Sequence, residues 1–262
     1  GGINVGNSDN KASNDETSVE LNAKNGNNTI IVNVKRGFGS GIHAGKSQVK
    51  LDAINNTVGL FQGEKSNAEG AILTLNEGNV LLEADNENTI LANSTEITTL
   101  SEEVYGDKYA INADNKGSAD IKADVANTII GAVYANNEAT NVTIQSLSEN
   151  ATATNYIGSS TVIFRAGDLD KSEDETMRNL DVVSALYAQG GAEINLSGNN
   201  TILTYADKDD DTTAERSLWA YDKGKINVDG YTYISTNQYD ESPNSMDVAV
   251  AAGTATNLGE ED

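Results

Sequence analysis

The sequence predicts an all-β protein, a right-handed single-stranded parallel β-helix (solenoid) of about seven to eight coils with insertion loops at one corner. Two recurring phrases lead to this prediction: a five-residue alternation of apolar and polar residues, and a shorter phrase centred on Asn-Thr-Ile. The third observation is their order, since the shorter phrase repeatedly follows the alternating one. Phrases that recur in a fixed order are typical of a repeated structural unit.

The alternating phrase predicts a strand with one buried face. It reads apolar-x-apolar-x-small and occurs at residues 19–23, 49–53, 80–84, 119–123, 142–146, 194–198 and 226–230. The first and third positions of each copy should point inward and stack on one another along parallel strands. The predicted inward stack comprises Val49, Leu51, Val80, Leu82, Ile121, Val142, Ile144, Ile194, Leu196, Ile226 and Val228.

A second predicted strand precedes most of these copies. It reads apolar-x-Ala and ends in a turn that contains Gly or Asn, as at residues 42–44, 111–113, 133–135, 186–188 and 218–220. Gly and Asn are the residues that a tight turn prefers when proline is scarce, and the chain has one proline. An eighth copy begins at residues 248–253.

The Asn-Thr-Ile phrase predicts the third strand of each unit. It occurs at residues 27–31, 55–58, 87–90, 126–130 and 199–202, and in a degenerate form at 159–164. We expect the Asn to take left-handed backbone geometry at a corner and its amide to hydrogen-bond the Asn of the next coil. Thr should then point outward and Ile inward.

The spacing of the copies predicts one domain over residues 1–262 with loops of variable length. Residues 1–17 are expected to form a partial or irregular first coil, and insertion loops are expected at 93–108, 165–181, 205–216 and 236–246. A β-sandwich is the alternative, because short alternating strands with polar turns also suit that architecture.

Charge and composition exclude several classes of function. The 17 basic and 40 acidic residues give a formal net charge of −23, which disfavours nucleic-acid and anionic-membrane partners. No apolar stretch is long enough to insert into a membrane. The chain has no cysteine, which rules out disulfides and zinc–thiolate sites.

The phrases GGAEINLSGNNTI (190–202) and KGKINVDGYTYI (223–234) resemble coils of bacterial autotransporter passenger domains of the pertactin and diffuse-adherence adhesin type. The resemblance extends from about residue 18 to about residue 250. It implies a fragment of a larger passenger that is exported across the outer membrane to the bacterial cell surface. The implied role is adhesion, aggregation or biofilm formation without catalysis, through a host or bacterial surface protein, a glycan, or self-association. Two-partner-secreted haemagglutinins have similar coils, so the secretion route stays open.

Aromatic residues provide the candidate binding site. Tyr134, Tyr187 and Trp219 each lie between an apolar residue and an alanine, so they should point outward at one offset in three successive coils. Tyr221 would extend this patch sideways. Exposed aromatics of this kind suit sugar stacking or protein contact. The alternative is that they stack only on one another, beneath the insertion 166–181.

Acidic residues provide the candidates for catalysis or metal binding. Glu20, Asp52, Glu83, Asp120 and Asp229 are expected to form a rough outward ladder, which in a β-helix lyase or hydrolase would hold the site. Such a ladder is usually a solvated face, so we expect no enzyme activity and no required cofactor, and His43 should be an ordinary surface residue. Asp209, Asp210 and Asp211 are weak calcium candidates, since the run lacks the spacing of an EF-hand loop. A passive spacer without any ligand is the third alternative.

Overall fold

A computed structural model describes residues 2–6, 17–37, 39–66, 70–93, 109–147, 154–158, 184–205, 216–237 and 248–252. Every regular element within these ranges is a β-strand, so the all-β prediction is confirmed. The strands are β1 (Ile3–Gly6), β2 (Thr17–Gly37), β3 (Ser40–Gly45), β4 (Ser47–Ser66), β5 (Gly70–Leu75), β6 (Asn79–Asn93), β7 (Tyr109–Asp114), β8 (Ser118–Ala123), β9 (Ala126–Ile130), β10 (Ala132–Asn136), β11 (Asn141–Ser146), β12 (Thr154–Gly158), β13 (Ser184–Gln189), β14 (Glu193–Ser197), β15 (Asn199–Tyr205), β16 (Arg216–Ala220), β17 (Lys225–Asp229), β18 (Thr232–Asn237) and β19 (Val248–Ala252).

The strands form two parallel sheets. One has eight strands in the order β1-β3-β5-β7-β10-β13-β16-β19. The other sheet has eleven strands, and its long strands β2, β4 and β6 pair side by side. Strand β6 then pairs with β8 along its first half and with β9 along its second half. Two rows continue from this fork, β8-β11-β14-β17 and β9-β12-β15-β18. From β7 to β16, each strand of the first sheet is followed along the chain by one strand of each row, and we call such a set a repeat.

The predicted parallel pairing of the alternating phrases is confirmed. Val49 pairs with Val80 and Leu51 with Leu82 in the ladder of β4 and β6, and the same register continues to Ile194 and Ile226. One buried cluster has members in strands β1 to β16, and every residue of the predicted inward stack belongs to it or packs against it. Only Ile226 and Val228, on the last strand of their row, are partly rather than fully buried.

The asparagines of the recurring phrase do not take left-handed geometry, so that part of the prediction is wrong. They lie inside strands, and the positive φ angles occur instead in the turns between the two sheets, for example at Asn76, Glu77, Asn115 and Lys116. The reason is that the second Asn of each phrase points into the protein, where an extended backbone aims its amide at the next strand. The expected inward Ile and outward Thr are confirmed, for example at Val58 or Ile90 and at Thr57 or Thr89.

The inward asparagines form a ladder of side-chain hydrogen bonds. Each Nδ2 donates to the Oδ1 of the next Asn at 2.8–3.0 Å, in the order Asn28, Asn56, Asn88, Asn127, Asn155 and Asn200. Most of these Nδ2 groups also donate to a backbone carbonyl, such as Glu83 O at 2.8 Å from Asn56. The predicted hydrogen bond between asparagines of neighbouring repeats is therefore confirmed, with the amides buried in the protein.

The Asn-Thr-Ile phrase of the repeat β10–β12 lies earlier in the sequence than predicted. Strand β12 carries it as Asn155-Tyr156-Ile157, where Tyr replaces Thr, and the predicted copy at 159–164 lies outside the described residues. Tyr156 is buried in a second small cluster with Phe61, Leu91, Ile130 and Leu203. A Cβ at Gly158 would lie 2.8 Å from the Tyr156 hydroxyl, so glycine leaves room for this ring.

Most of each predicted loop lies outside the described residues. Asn93, Tyr205, Arg216 and residues 236–237, at the loop margins, belong to strands β6, β15, β16 and β18. In the predicted first coil, Ile3–Gly6 forms the regular strand β1, which pairs with β3.

Candidate binding face

Three predicted aromatics occupy one register position on neighbouring strands. Tyr134 of β10 pairs with Tyr187 of β13, and Tyr187 pairs with Trp219 of β16. The residues immediately before them, Val133, Leu186 and Leu218, are buried in the main core. Because side chains alternate along a strand, the aromatic rings point away from that core. The predicted alignment is confirmed, and its role in binding stays a prediction.

The rings form a continuous ladder, which we call the aromatic ladder. Tyr187 and Trp219 stack with centroids 4.4 Å apart and planes 6° from parallel. Tyr134 lies 5.2 Å from Tyr187, and Trp219 lies 6.0 Å from Tyr221, both in tilted arrangements. The four aromatic residues predicted for the site are therefore brought together.

Tyr109 belongs to the same ladder, although the sequence did not indicate it. Its ring stacks on that of Tyr134 at 5.2 Å, and its side chain is 39% exposed. In the strand register Tyr134 pairs with Asn112, and Tyr109 reaches it because the pairing of β7 and β10 shifts between Ala132 and Val133. Only the phrase YAINAD, with an aromatic at the start of the strand, could have pointed to this residue.

The stacking decides which part of each ring can meet a ligand. A stacked aromatic has its face covered by its neighbour and leaves its edge and polar tip available. Tyr187 lies between Tyr134 and Trp219: Trp219 covers one ring face with nearly parallel stacking, and Tyr134 crowds the ring in a tilted arrangement. The interior of the ladder therefore offers ring edges, hydroxyl groups and amides rather than open faces for sugar stacking.

A row of polar side chains runs beside the ladder, two residues further along each strand. Asp114, Asn136 and Gln189 occupy one register position. Gln189 links two rings, because its Nε2 donates to the Tyr134 hydroxyl and its Oε1 accepts from the Tyr187 hydroxyl. Asp114 Oδ1 accepts from Asn136 Nδ2 at 3.2 Å. We call the ladder together with this polar row the binding face.

Burial raises the pKa of Tyr134 to about 12, and the nearby Tyr109, Tyr187 and Asp114 contribute to this increase. The hydrogen bond from Gln189 acts in the opposite direction but is the smaller effect. Tyr134 therefore remains a neutral phenol throughout the physiological range. It contributes a hydroxyl group to the binding face and no charge.

The outward acids do not form the single ladder that the sequence suggested. Glu20 is in register with Lys50, whereas Asp52 is in register with Glu83 in a separate column. Lys50 Nζ lies 2.7 Å from Glu83 and 4.0 Å from Asp52, which balances part of the charge. Two outward positions of one strand look equivalent in the sequence. They are two residues apart, however, which separates their columns by about 6–7 Å.

The remaining candidates add no metal site within the described ranges. No group of three or more His, Cys, Asp or Glu side chains among the described residues could hold an ion. The weak calcium candidates Asp209, Asp210 and Asp211 lie outside those ranges. His43 is partly buried and lies between the buried Ile42 and Ala44, so it points away from the core as expected.

In the part of the chain that the structure describes, no helix is long and apolar enough to cross a membrane. We compared the chain with protein-family models, with curated proteins and with solved structures, and none of them matches it.

Proposed function

We propose that the chain is a right-handed parallel β-helix of about seven to eight coils and a fragment of an exported bacterial passenger that mediates adhesion or aggregation at the cell surface without catalysis. Three features support this proposal. The strands follow one another in three parallel rows, the repeat phrases resemble those of autotransporter adhesins, and an aromatic ladder runs across several repeats.

The aromatic ladder is the observation that carries the adhesive role. Tyr and Trp are the residue types that the cores of protein interfaces favour, and the amides of Asn136 and Gln189 add hydrogen-bonding groups beside them. Each ring-edge contact is weak, on the order of 1 kcal/mol. Many copies on one cell surface would act together, so a weak contact becomes a firm attachment through multivalency. A surface protein or a glycan that offers hydrogen-bonding groups fits this face.

Cells or beads that display the chain test the proposal. The double variant Tyr187→Ala and Trp219→Ala should reduce aggregation and receptor binding strongly. Tyr233→Ala is the matched control, since Tyr233 is an exposed aromatic on a different row. Because the two rings stack, the melting temperature of the double variant must be measured first, and adhesion compared below it. Full adhesion by a folded double variant would refute the proposal.

A passive spacer is the second candidate, and one observation favours it. The rings cover one another and the buried asparagines bond one another, so both ladders are largely satisfied within the chain. If the chain is a spacer, the double variant should lose stability and have no other effect.

The third candidate, a polysaccharide lyase or hydrolase, requires carboxylates that converge within about 5–10 Å. Asp52 and Glu83 lie within that range on adjacent strands, but Lys50 Nζ lies 2.7 Å from Glu83 and 4.0 Å from Asp52, so the pair is better explained as a partly neutralised outward column.

A further inference from the structure

The aromatic ladder brings the reactive ends of two tyrosines together. Tyr134 and Tyr187 lie in register on the neighbouring strands β10 and β13, with their ring centroids 5.2 Å apart. One side chain holds both hydroxyl groups, because Gln189 Nε2 donates to the Tyr134 hydroxyl and Gln189 Oε1 accepts from the Tyr187 hydroxyl. The two phenol oxygens are therefore anchored to the same amide group, and the ring carbons beside these oxygens lie at the same end of the pair.

Two phenols in this position can be joined by oxidation. A one-electron oxidant takes an electron from each ring, and each hydroxyl releases its proton to water, which leaves two tyrosyl radicals. The radicals form a carbon–carbon bond between the carbons ortho to their oxygens. The hydrogens on those carbons then move to the oxygens, so both phenols are restored in a dityrosine. Hydrogen peroxide, acting through a peroxidase, accepts the two electrons and the two protons and becomes two molecules of water.

The other rings of the ladder connect this pair to an oxidant outside. Tyr134 and Tyr187 are both partly buried. Tyr109 is 39% exposed and stacks on Tyr134 with ring centroids 5.2 Å apart, and Trp219 stacks on Tyr187 at 4.4 Å. Electrons pass readily between aromatic rings at such short separations, so a radical formed at either outer ring can be transferred to the central pair. There it lies beside a second phenol when the second oxidation occurs.

The register favours the central pair over the pair of Tyr109 and Tyr134. Tyr134 is in register with Asn112, and Tyr109 reaches it from a different position along strand β7. Tyr134 and Tyr187 instead leave their strands at the same position, and Gln189 lies two residues beyond Tyr187 on the same face. The hydroxyl ends of this pair are therefore aligned by both the backbone and the shared amide.

We propose that Tyr134 and Tyr187 are an oxidative modification site, at which a one-electron oxidant joins strands β10 and β13 through a dityrosine cross-link. Gln189 is the positioning residue of this site. The cross-link ties two successive repeats together covalently and restricts the unfolded chain as a disulfide does, so the oxidised protein should resist unfolding. This modification goes beyond the proposed adhesive function and does not depend on it.

Mild oxidation of the dilute chain by a peroxidase with limiting hydrogen peroxide tests the proposal. The monomer is then isolated and digested with trypsin, which cleaves at Arg165, Lys171 and Arg178 between the two tyrosines. Tyr134 lies on the tryptic peptide 123–165 and Tyr187 on the peptide 179–208. We expect these two peptides to be joined, with the loss of two hydrogen atoms, as the main dityrosine product. The oxidised monomer should also melt at a higher temperature than the untreated chain.

Four variants identify the residues that react. Tyr134→Phe and Tyr187→Phe each keep the ring and remove one phenol, so each should abolish the joined peptides. Tyr231→Phe is the matched control, since Tyr231 is 75% exposed and lies outside the ladder, and it should react like the unmodified chain. Gln189→Leu keeps both phenols but no longer aligns them, so the yield of joined peptides should fall about tenfold, because orientation governs the rate between neighbouring groups. Oxidation of Trp219 should be unchanged in this variant, which separates positioning from a general loss of structure.

Several results would overturn the proposal. One is a monomer in which peptides 123–165 and 179–208 are not joined, and another is a joined pair that persists in Tyr134→Phe. A main product that links peptide 109–116 to 123–165 would show that ring stacking, rather than the shared amide, selects the pair. A main product at Tyr231 would show that exposure alone decides, and an oxidised monomer that melts no higher than the untreated chain would contradict the covalent tie between repeats. The experiment measures masses and melting rather than adhesion, so these outcomes leave the proposed function unaffected.

Discussion

The buried asparagine ladder predicts that two adjacent asparagines of the same phrase differ greatly in their effect on stability. Asn56 is fully buried, and its Nδ2 donates to Glu83 O at 2.8 Å and to Asn88 Oδ1 at 3.0 Å. Its Oδ1 accepts from Asn28 Nδ2 at 3.0 Å. A net hydrogen bond contributes about 1 kcal/mol, so Asn56→Ala should lower the free energy of unfolding by about 3 kcal/mol. That corresponds to more than about a hundredfold in the unfolding equilibrium.

Asn55 is the matched control for this change. It makes two similar amide bonds, to Asn27 at 2.9 Å and from Asn86 at 2.7 Å, but on the solvent side of the strand. Water replaces these bonds when the side chain is removed, so Asn55→Ala should cost at most about 0.5 kcal/mol. Both variants make the same Asn-to-Ala change in strand β4, so differences in β-propensity largely cancel.

Equilibrium unfolding in urea, followed by circular dichroism, measures both variants. The slope of the free energy against urea concentration must be unchanged for the comparison to hold, since stacked repeats can lose cooperativity. Equal shifts for Asn55→Ala and Asn56→Ala would refute the inference that burial of the amide ladder decides its contribution.

Three further changes test other parts of the structure. Ile194→Asp should prevent folding or destabilise severely, because an unpaired charge would lie in a fully buried column, whereas Thr201→Ala should shift the melting temperature little; similar shifts would contradict the assigned faces. Folding raises the pKa of Tyr134 to about 12, so the stability that its neutral hydroxyl contributes is complete below pH 10 and is lost as the pH rises toward 12. Tyr134→Phe should therefore flatten the alkaline part of the stability profile, and an unchanged slope in urea midpoints between pH 9 and 12 would count against this. Acidic and neutral polysaccharides should not be depolymerised with or without calcium, and turnover that a single change such as Glu83→Gln abolishes would overturn this prediction.

The sequence was sufficient to predict most of the strands and the register of the alternating phrases, but not every strand and not all the roles of the residues on them. Alternation of period two fixes which side chains point inward, so the pattern alone places Val49, Val80 and Ile194 in one column. The inward Asn could not be assigned correctly, because a left-handed corner and a buried amide ladder both favour the same residue. Only the backbone geometry separates these two explanations.

The aromatic residues of the candidate site could be predicted where they occupy the same register position on neighbouring strands. Tyr134, Tyr187 and Trp219 share an offset from buried residues, and they align as the pattern predicts. Tyr109 could not be found in this way, because a shift in pairing between β7 and β10 brings it to the ladder from another offset. The prediction of a single acid ladder was wrong because it considered only which side of the strand each acid faces. Glu20 and Asp52 both point outward, but they lie in different columns.

The geometry of the aromatic ladder links stability to binding and limits what can bind there. Ring faces that stack on each other strengthen the contact between repeats by about 0.5–1.5 kcal/mol per pair, and they are then closed to a ligand. What remains for a partner is the outer rim, where Gln189 joins the hydroxyl groups of Tyr134 and Tyr187. A partner must therefore accept or replace hydrogen bonds at this rim rather than lie flat on a ring. Tyr187→Phe keeps the stacked ring and removes only the hydroxyl. If the rim is adhesive, adhesion should fall in this variant while the melting temperature stays unchanged. If the ladder serves only to hold the repeats together, adhesion should not change.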